Sequence, residues 1–361
     1  MICLSRPLSA MLMVGCLVSA AHADAADFIS TELLSNAGIQ TVWQNVLPLE
    51  GGEKFSTFDR LGDGLYVLTT TNYLFAMNAS TGAFRFAERA APAGFSLHQM
   101  QRVDGMLSFV AGSSMIGLDA LTGKELRRIT VPYGVVTTPA INSKFYYMAA
   151  DDGRVYAYYR SDGVLVFQAS ADPGSLMTNL VATDDGVAFT TDKGAVVAMA
   201  PDRPVLKWRY NSPAPIKGAI VLQDDAVYVA GMDTHIYRFD AATGRILWNH
   251  MTGSQLSTGP RVTASVVYQS AGHNGVYALD RRTGKVLWQN RDAADLLSEH
   301  NGRAYLISRN QSLIVMENAT GRRIHEVNLA GVDVYASNLA DGMIYIGNST
   351  TGKIAGLKPT E

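Results

Sequence analysis

The sequence predicts an all-β protein, an eight-bladed β-propeller of four-stranded antiparallel blades. The first observation is a short phrase that recurs along the chain and is clearest at residues 236–248 and 276–288. Its turns are separated by 41, 40, 41, 40, 40 and 37 residues and lie at Gly82, Gly123, Gly163, Pro204, Gly244, Gly284 and Gly321. A period near forty in β-rich units is typical of propeller blades.

The recurring phrase has the pattern of a β-hairpin. Residues 276–280 alternate in the manner of a strand, and the chain resumes a strand-like pattern over 286–288. Between them, Asp280 can accept hydrogen bonds from the turn backbone, and Gly284 supplies the positive φ of a tight return. Two further strand-like runs, 261–265 and 266–270, precede the phrase. Each unit of about forty residues therefore contains the four strands of one blade.

The second observation is the position of the tryptophans. All four, Trp43, Trp208, Trp248 and Trp288, stand four residues after the turn position or its equivalent. We expect each ring to cover the joint between neighbouring blades, where it would bury about 150–250 Å². The other units place Phe86, Arg127, Phe167 and His325 at this position.

The third observation concerns the two ends of the chain. After Gly321 three strand-like runs follow, at 332–337, 343–347 and 353–357, and the chain stops before a fourth. Residues 40–47 match the fourth-strand phrase of the other units. We infer that this N-terminal strand completes the last blade, so that the ring closes without an open edge.

The N-terminus has the pattern of a signal peptide over residues 1–23. Arg6 precedes an apolar run over 8–20, and a small-x-small cleavage site follows. The apolar run is too short for a transmembrane helix. We therefore expect export to a bacterial periplasm, with residues 24–38 as a tether and 39–361 as one propeller domain. In a second interpretation, Cys16 lies in a loose lipobox and carries a lipid anchor, which would make the protein an outer-membrane lipoprotein facing the periplasm.

Composition argues against several classes of function. The formal net charge is −2, and it becomes −3 once Arg6 is removed with the leader, so nothing indicates a nucleic-acid partner. Both cysteines, Cys3 and Cys16, lie in the leader, so conventional cleavage would leave no disulfide or thiolate. Residues 347–353 imitate a phosphate-binding loop, but Ile354 replaces the required Ser or Thr. No catalytic or metal-ligand motif is apparent, and no cofactor is expected.

One motif resembles a known family. The string Ala278-x-Asp280-x-x-Thr283-Gly284-Lys285-x-x-Trp288 is similar to the tryptophan-docking motif of the pyrroloquinoline-quinone-like propeller repeats. That superfamily includes the quinoprotein alcohol dehydrogenases and BamB, a lipoprotein of the outer-membrane β-barrel assembly machinery. The resemblance extends over about residues 40–358.

The resemblance implies the BamB-like branch rather than the dehydrogenases. Those enzymes are much longer, stack their cofactor on a disulfide between adjacent cysteines, and use Ca²⁺ and a catalytic aspartate for which this chain offers no motif. The resemblance implies a non-catalytic scaffold that binds an envelope protein partner and has a role in outer-membrane protein assembly. It also implies that the propeller is monomeric within a complex. The alternatives are a quinone-dependent dehydrogenase-like enzyme and a small-ligand or glycan receptor that uses the central funnel.

A ligand in the funnel would meet the innermost strands. Counting back from the second strand of each unit predicts one polar residue per blade at a comparable height: Thr57, His98, Thr137, Asn179, Lys217, Thr258, His300 and Asn338. These residues either line a water-filled channel or bind a small anionic or polyhydroxylated ligand, for which Lys217 and the two histidines are the best donors.

The position four residues after each turn, where the tryptophans stand, is called the docking position, and it provides a first test. Replacement of Trp248 or Trp288 by Ala should each lower the free energy of unfolding by about 3–5 kcal/mol, because a large buried aromatic is deleted. His325→Ala should cost less, since the spacing of 37 residues before its blade is irregular. Denaturant unfolding measures all three, and equal small effects would show that the alignment of the repeats is wrong.

Overall fold

The computed structural model describes residues 29–170 and 172–360. Within them the strands form eight four-stranded antiparallel sheets, the blades of a propeller, which confirms the predicted fold. In three pairs of neighbouring blades the first strands contact one another, which places these strands around the central channel. The predicted signal peptide and both cysteines lie outside the described residues.

Blades 1 to 4 follow one another in chain order, each from its innermost to its outermost strand. Blade 1 contains β2 (Phe55–Leu61), β3 (Gly64–Thr69), β4 (Tyr73–Asn78) and β5 (Phe84–Arg89). Blade 2 contains β6 (Gln101–Val103), β7 (Met106–Ala111), β8 (Ser114–Asp119) and β9 (Glu125–Thr130). Blade 3 contains β10 (Ala140–Ile141), β11 (Phe145–Ala149), β12 (Arg154–Tyr159) and β13 (Leu165–Ser170). Blade 4 contains β14 (Met177–Ala182), β15 (Val187–Thr191), β16 (Ala195–Met199) and β17 (Leu206–Asn211).

Blades 5 to 7 repeat this order, and blade 8 takes its last strand from the N-terminus. Blade 5 contains β18 (Val221–Gln223), β19 (Ala226–Ala230), β20 (His235–Asp240) and β21 (Ile246–Met251). Blade 6 contains β22 (Arg261–Val262), β23 (Val266–Ser270), a 3₁₀ turn (Gly272–Asn274), β24 (Val276–Asp280) and β25 (Val286–Asn290). Blade 7 contains β26 (Ala293–His300), β27 (Arg303–Ser308), β28 (Ser312–Glu317) and β29 (Arg323–Asn328). Blade 8 contains β30 (Val334–Ala336), β31 (Ile344–Gly347), β32 (Lys353–Pro359) and β1 (Ile39–Val46).

The hairpin turn of the repeated phrase forms as predicted. The backbone N–H and the hydroxyl of Thr283 donate to Asp280 Oδ1 at 2.7 and 2.6 Å. These hydrogen bonds hold the pKa of the Asp280 carboxyl below its ordinary value. Gly284 has φ +70°, and a Cβ there would lie 2.6 Å from the ring of Trp248. The turn therefore needs glycine both for its backbone conformation and for the ring that covers it.

The tryptophans cover the joints between blades, as the repeats predict. Trp248 of blade 5 donates its indole N–H to the carbonyl of Arg281 in blade 6 at 2.9 Å. Trp208 and Trp43 make the equivalent hydrogen bonds to the next blade at 2.8 and 2.9 Å. Trp288 packs over Gly321 of blade 7, although its indole N–H has no hydrogen-bond partner among the described residues.

Ring closure also follows the prediction. Strand β1 pairs with β32 antiparallel, from Ile39 opposite Pro359 to Val46 opposite Lys353. A single register shift, between Thr41 and Trp43, interrupts the pairing. The two ends of the chain therefore meet inside one sheet, and blade 8 has the same four strands as the other blades.

The prediction of a tether over residues 24–38 is wrong for the part that the structure describes. Residues Thr31–Asn36 form helix α1, whose N-cap is Ser30. Leu34 of this helix is fully buried in a cluster with Val327 of β29, next to blade 8. The physical reason lies in blade 7, where exposed His325 occupies the docking position. The helix supplies the apolar cover that an aromatic ring supplies at other joints.

This packing makes the N-terminal segment important for stability. Leu34→Ala should lower the free energy of unfolding by about 2–5 kcal/mol, the cost of deleting a buried leucine side chain. Leu33→Ala is the matched control, because Leu33 is 47% exposed on the same helix. Urea unfolding compares them, and an equally small effect of both changes would show that α1 does not contribute to the core.

Candidate functional site

Two of the predicted channel residues occupy matching positions on innermost strands. Thr57 of β2 and Asn179 of β14 each follow a register shift and pair with the second strand of their blade. In blade 7 the same position, directly after the corresponding shift, belongs to Asp295. The register therefore assigns Asp295 to the channel position for which the sequence predicted His300.

His300 and Asn338 do not lie at the predicted height. His300 is the last residue of β26, pairs with Arg303 and lies beside Gly342 of blade 8. Asn338 is 1% exposed and donates to the carbonyl of Met343 at 2.8 Å. Strand β26 carries a second register shift between Leu296 and Ser298, and His300 lies beyond it, five residues after Asp295.

The other four predicted residues precede the innermost strands. His98, Thr137, Lys217 and Thr258 lie in the connections that lead into β6, β10, β18 and β22. Thr137 is buried, whereas the side chains of Lys217 and Thr258 are exposed. The structure thus brings His98, Thr137 and Asn179 together around one cavity of about 400 Å³ on the side of blades 2 to 5.

The donors of this cavity already bind neighbouring blades. His98 Nε2 lies 2.8 Å from the carbonyl oxygen of Val135 in blade 3. The amide of Asn179 donates to the carbonyl of Gly218 in blade 5 at 3.0 Å, and adjacent Thr178 donates to that of Ile216 at 2.7 Å. Each group satisfies a backbone carbonyl of the next blade near the channel. This arrangement favours a structural role for His98 and Asn179.

The opposite side of the channel carries charge that sequence reasoning missed. Arg261 of blade 6 forms an ion pair with Asp295 of blade 7 at 2.9 Å, and the Tyr335 hydroxyl of blade 8 donates to the same carboxylate at 3.3 Å. Burial raises the pKa of the nearby Asp59 carboxyl in blade 1, against the opposing effect of the Arg261 guanidinium. Arg261 and Asp59 occupy the same repeat position, because each pairs with the second-strand tyrosine of its blade, Tyr268 and Tyr66. The residue at this position differs between blades, so no repeated motif reveals the contact.

A second recurrent feature lies on the face that carries the first and third hairpin turns of each blade. There an aspartate of one blade pairs with an arginine of the next. The pairs are Asp341 with Arg60, Asp63 with Arg102, Asp104 with Arg160, and Asp224 with Arg281. These ion pairs link neighbouring blades at their rim.

A groove on this face lies between blades 5 and 6. It encloses about 430 Å³ and is lined by Asp224, Asp225, Arg238, Ala264, Ser265, Asp280, Arg281 and Arg282. The side chain of Asp225 is 82% exposed, and its nearest ion-pair contact is Arg238 at 3.8 Å. Asp225 and Arg282, both exposed, therefore present both signs of charge to a partner surface.

A row of tyrosines is a further feature that sequence reasoning missed. Fully buried tyrosines stand at one position in the second strand of six blades, at Tyr66, Tyr147, Tyr228, Tyr268, Tyr305 and Tyr345. An apolar-Tyr-apolar triplet at the forty-residue period is the signal that would have revealed them. Ser108 in blade 2 and Ala188 in blade 4 occupy this position instead.

Two kinds of feature are absent from the described residues. No helical segment among them has the length and hydropathy of a membrane span. In the same part of the chain, no group of three or more His, Cys, Asp or Glu side chains is placed to hold a metal ion.

Comparison with known proteins points to one family. A family model described as outer membrane protein assembly factor BamB matches residues 33–170, 96–201, 151–258 and 251–361. The crystal structure of BamB from Moraxella catarrhalis is similar, with a TM-score of 0.68 and 17% identity, over 89% of this chain and 97% of that one. The computationally designed Ika8 protein is similar at a TM-score of 0.66 and 15% identity, over 87% and 99%. No curated protein matches this chain significantly.

Proposed function

The chain belongs to the family of outer membrane protein assembly factor BamB, and on this premise we propose that it is a non-catalytic scaffold of the bacterial cell envelope. In this proposal it binds a protein partner and assists outer-membrane protein assembly. The observation that carries the proposal is the family match, which extends from residue 33 to 361 and so includes all eight blades.

The number of residues in each blade supports a scaffold rather than an enzyme. Each blade takes about forty residues, and this leaves little chain for the lid and cofactor pocket that a quinone enzyme of this architecture builds. A rigid ring whose blades are joined by docked aromatics and rim ion pairs presents fixed surfaces to a partner. Such a surface needs complementary shape and charge but no reacting groups.

The groove between blades 5 and 6 is the contact surface that the geometry favours. The four paired rim aspartates lie no farther than 2.9 Å from an arginine of the next blade, whereas the nearest ion-pair contact of Asp225 is at 3.8 Å. Arg282 is exposed in the same groove and adds donors for a partner carboxylate. A partner that places one basic and one acidic group here would satisfy both signs.

The proposed location is the periplasm. Residues 1–23 would direct export and then be removed, or Cys16 would carry the lipid anchor of an outer-membrane lipoprotein. The propeller would act as a monomer within a larger complex.

The experiment is affinity purification of the full-length chain from envelope extract, with Asp225→Arg and a matched Glu88→Arg control. Glu88 is exposed on the outermost strand of blade 1, away from the groove. We expect a stoichiometric partner that belongs to an outer-membrane assembly complex, with recovery reduced at least about fivefold by Asp225→Arg and unchanged by the control.

A dye-reduction assay with pyrroloquinoline quinone and an alcohol substrate accompanies the purification. Reduction that depends on both would contradict the scaffold and favour the dehydrogenase. Equal recovery of the partner with both variants would place the contact surface elsewhere.

A further inference from the structure

The joint between blades 1 and 2 shows how one tyrosine of the row, Tyr66, is accommodated. Tyr66 is fully buried, and its hydroxyl donates to the carbonyl of Ala120 in blade 2 at 3.3 Å. The phenol ring passes over Gly64, where an added Cβ would lie 2.5 Å from the tyrosine hydroxyl. At this joint glycine is therefore needed two positions before the tyrosine, whereas the other five blades of the row carry Phe145, Ala226, Val266, Arg303 and Met343 there.

A carboxylate with two cations borders this phenol. Asp63 forms an ion pair at 2.7 Å with Arg85 of its own blade and another with Arg102 of blade 2. The Arg85 and Arg102 guanidinium groups hold the pKa of the Asp63 carboxyl well below its usual range.

Blade 4 repeats the aspartate and the glycine of blade 1 but lacks the tyrosine ring. Its strand register places Ala188 where Tyr66 stands, since each pairs with an alanine of the third strand, and that alanine pairs with the docking aromatic. Gly186 and Asp185 keep the two preceding positions of the Asp-Gly-x-Tyr sequence found in blade 1.

Blade 4 also lacks the second cation. Lys207 donates to the backbone carbonyl of Asp185, as Arg85 does to that of Asp63 in blade 1. At the position of Arg102, however, blade 5 carries Leu222. The carboxylate of Asp185 therefore faces an apolar side chain where its counterpart has a guanidinium.

The two missing groups leave a cavity between blades 4 and 5. It encloses about 290 Å³, whereas about 150 Å³ is enough for an apolar cavity to hold benzene. Val187, Ala188, Ala198, Leu222 and Val227 contribute apolar lining. Four aspartates and one lysine also line it, namely Asp185, Asp224, Asp225, Asp240 and Lys207. The charge around the cavity is therefore predominantly negative.

Among the described residues, neither backbone conformation nor a close contact requires glycine at position 186, in the wall of the cavity. Gly186 does not adopt the left-handed backbone conformation that favours glycine. A Cβ at this position would meet no atom closer than 3.4 Å, where it would touch the Lys207 ammonium and the Met199 carbonyl. In blade 1 the equivalent glycine makes room for the Tyr66 ring, and blade 4 has this glycine without the ring.

We propose that this cavity binds a small aromatic amine, a phenol ring joined by a short linker to an ammonium group. The ring takes the place of the Tyr66 side chain, and the ammonium takes the place of the Arg102 guanidinium beside Asp185. The carbonyl of Ala241, which corresponds to that of Ala120, accepts from Trp208 at 2.8 Å and has a second lone pair for the phenol hydroxyl. This inference goes beyond the scaffold role and does not depend on it.

The test is isothermal titration calorimetry of the full-length protein at low salt with tyramine as the probe. We expect one saturable site with a dissociation constant of roughly 1 mM or below. The comparison probe p-cresol lacks the ammonium and should bind about twofold to fivefold more weakly, the effect of one exposed ion pair. Butylamine, which lacks the ring, should give no saturable signal.

Two variants separate the two parts of the site. Ala188→Tyr supplies the missing ring and should weaken tyramine binding about tenfold or more, because the cavity is filled. Leu222→Arg supplies the missing guanidinium without filling the ring position, and should remove the advantage of tyramine over p-cresol. Both side chains exist at the same positions in blades 1 and 2, so a melting curve should show a folded protein for each variant.

Absence of saturable tyramine binding to the wild-type protein would overturn the proposal. So would unchanged binding by Ala188→Tyr, or a tyramine preference that persists in Leu222→Arg. Because the assay uses no protein partner, its outcome is independent of the affinity purification that tests the scaffold.

Discussion

The pairing of β1 with β32 is the interaction on which the ring depends, because it joins residues 39–46 to residues 353–359 inside one sheet. A blade buries its apolar faces against its neighbours, so each blade relies on the next for its core. Without β1, blade 8 would present the edge of β32 to solvent, and unpaired edges invite association with other chains. Helix α1 directly precedes β1 in the chain, and its Leu34 covers the joint between blades 7 and 8.

The joints between blades follow one rule with local substitutions. A docked aromatic covers the turn of the next blade, and Trp43, Trp208, Trp248 and Trp288 follow this rule. Blade 2 uses a different solution, since Arg127 donates to the carbonyl of Arg160 in blade 3 at 2.8 Å. Blade 7 relies on α1, and blade 4 lacks the tyrosine beneath its docked Trp208. Departures from the repeat are therefore the places where this chain differs from an idealised ring, and a binding site is best sought there.

The sequence predicts the blades, their hairpin turns and their docking aromatics, and it fails where the repeat is broken. The period, the turn residues and the phase of Trp248 and Trp288 predict eight blades, because each signal is local and recurs. His300 does not occupy the channel position, because it ends β26, five residues beyond Asp295, and no local pattern reveals the register of that strand. The contact between Arg261 and Asp295 depends on how the innermost strands of blades 6 and 7 pack together. The burial of α1 depends on the closed ring, which brings this helix against β29.

Hydrogen exchange of the full-length protein, resolved by peptide, tests the closed ring most directly. If β1 completes blade 8, backbone amides of residues 39–46 should exchange as slowly as those of the outermost strands β21 and β25, through unfolding of the whole domain. Rapid exchange of residues 39–46, while β21 and β25 remain protected, would contradict closure of the ring by the N-terminal strand.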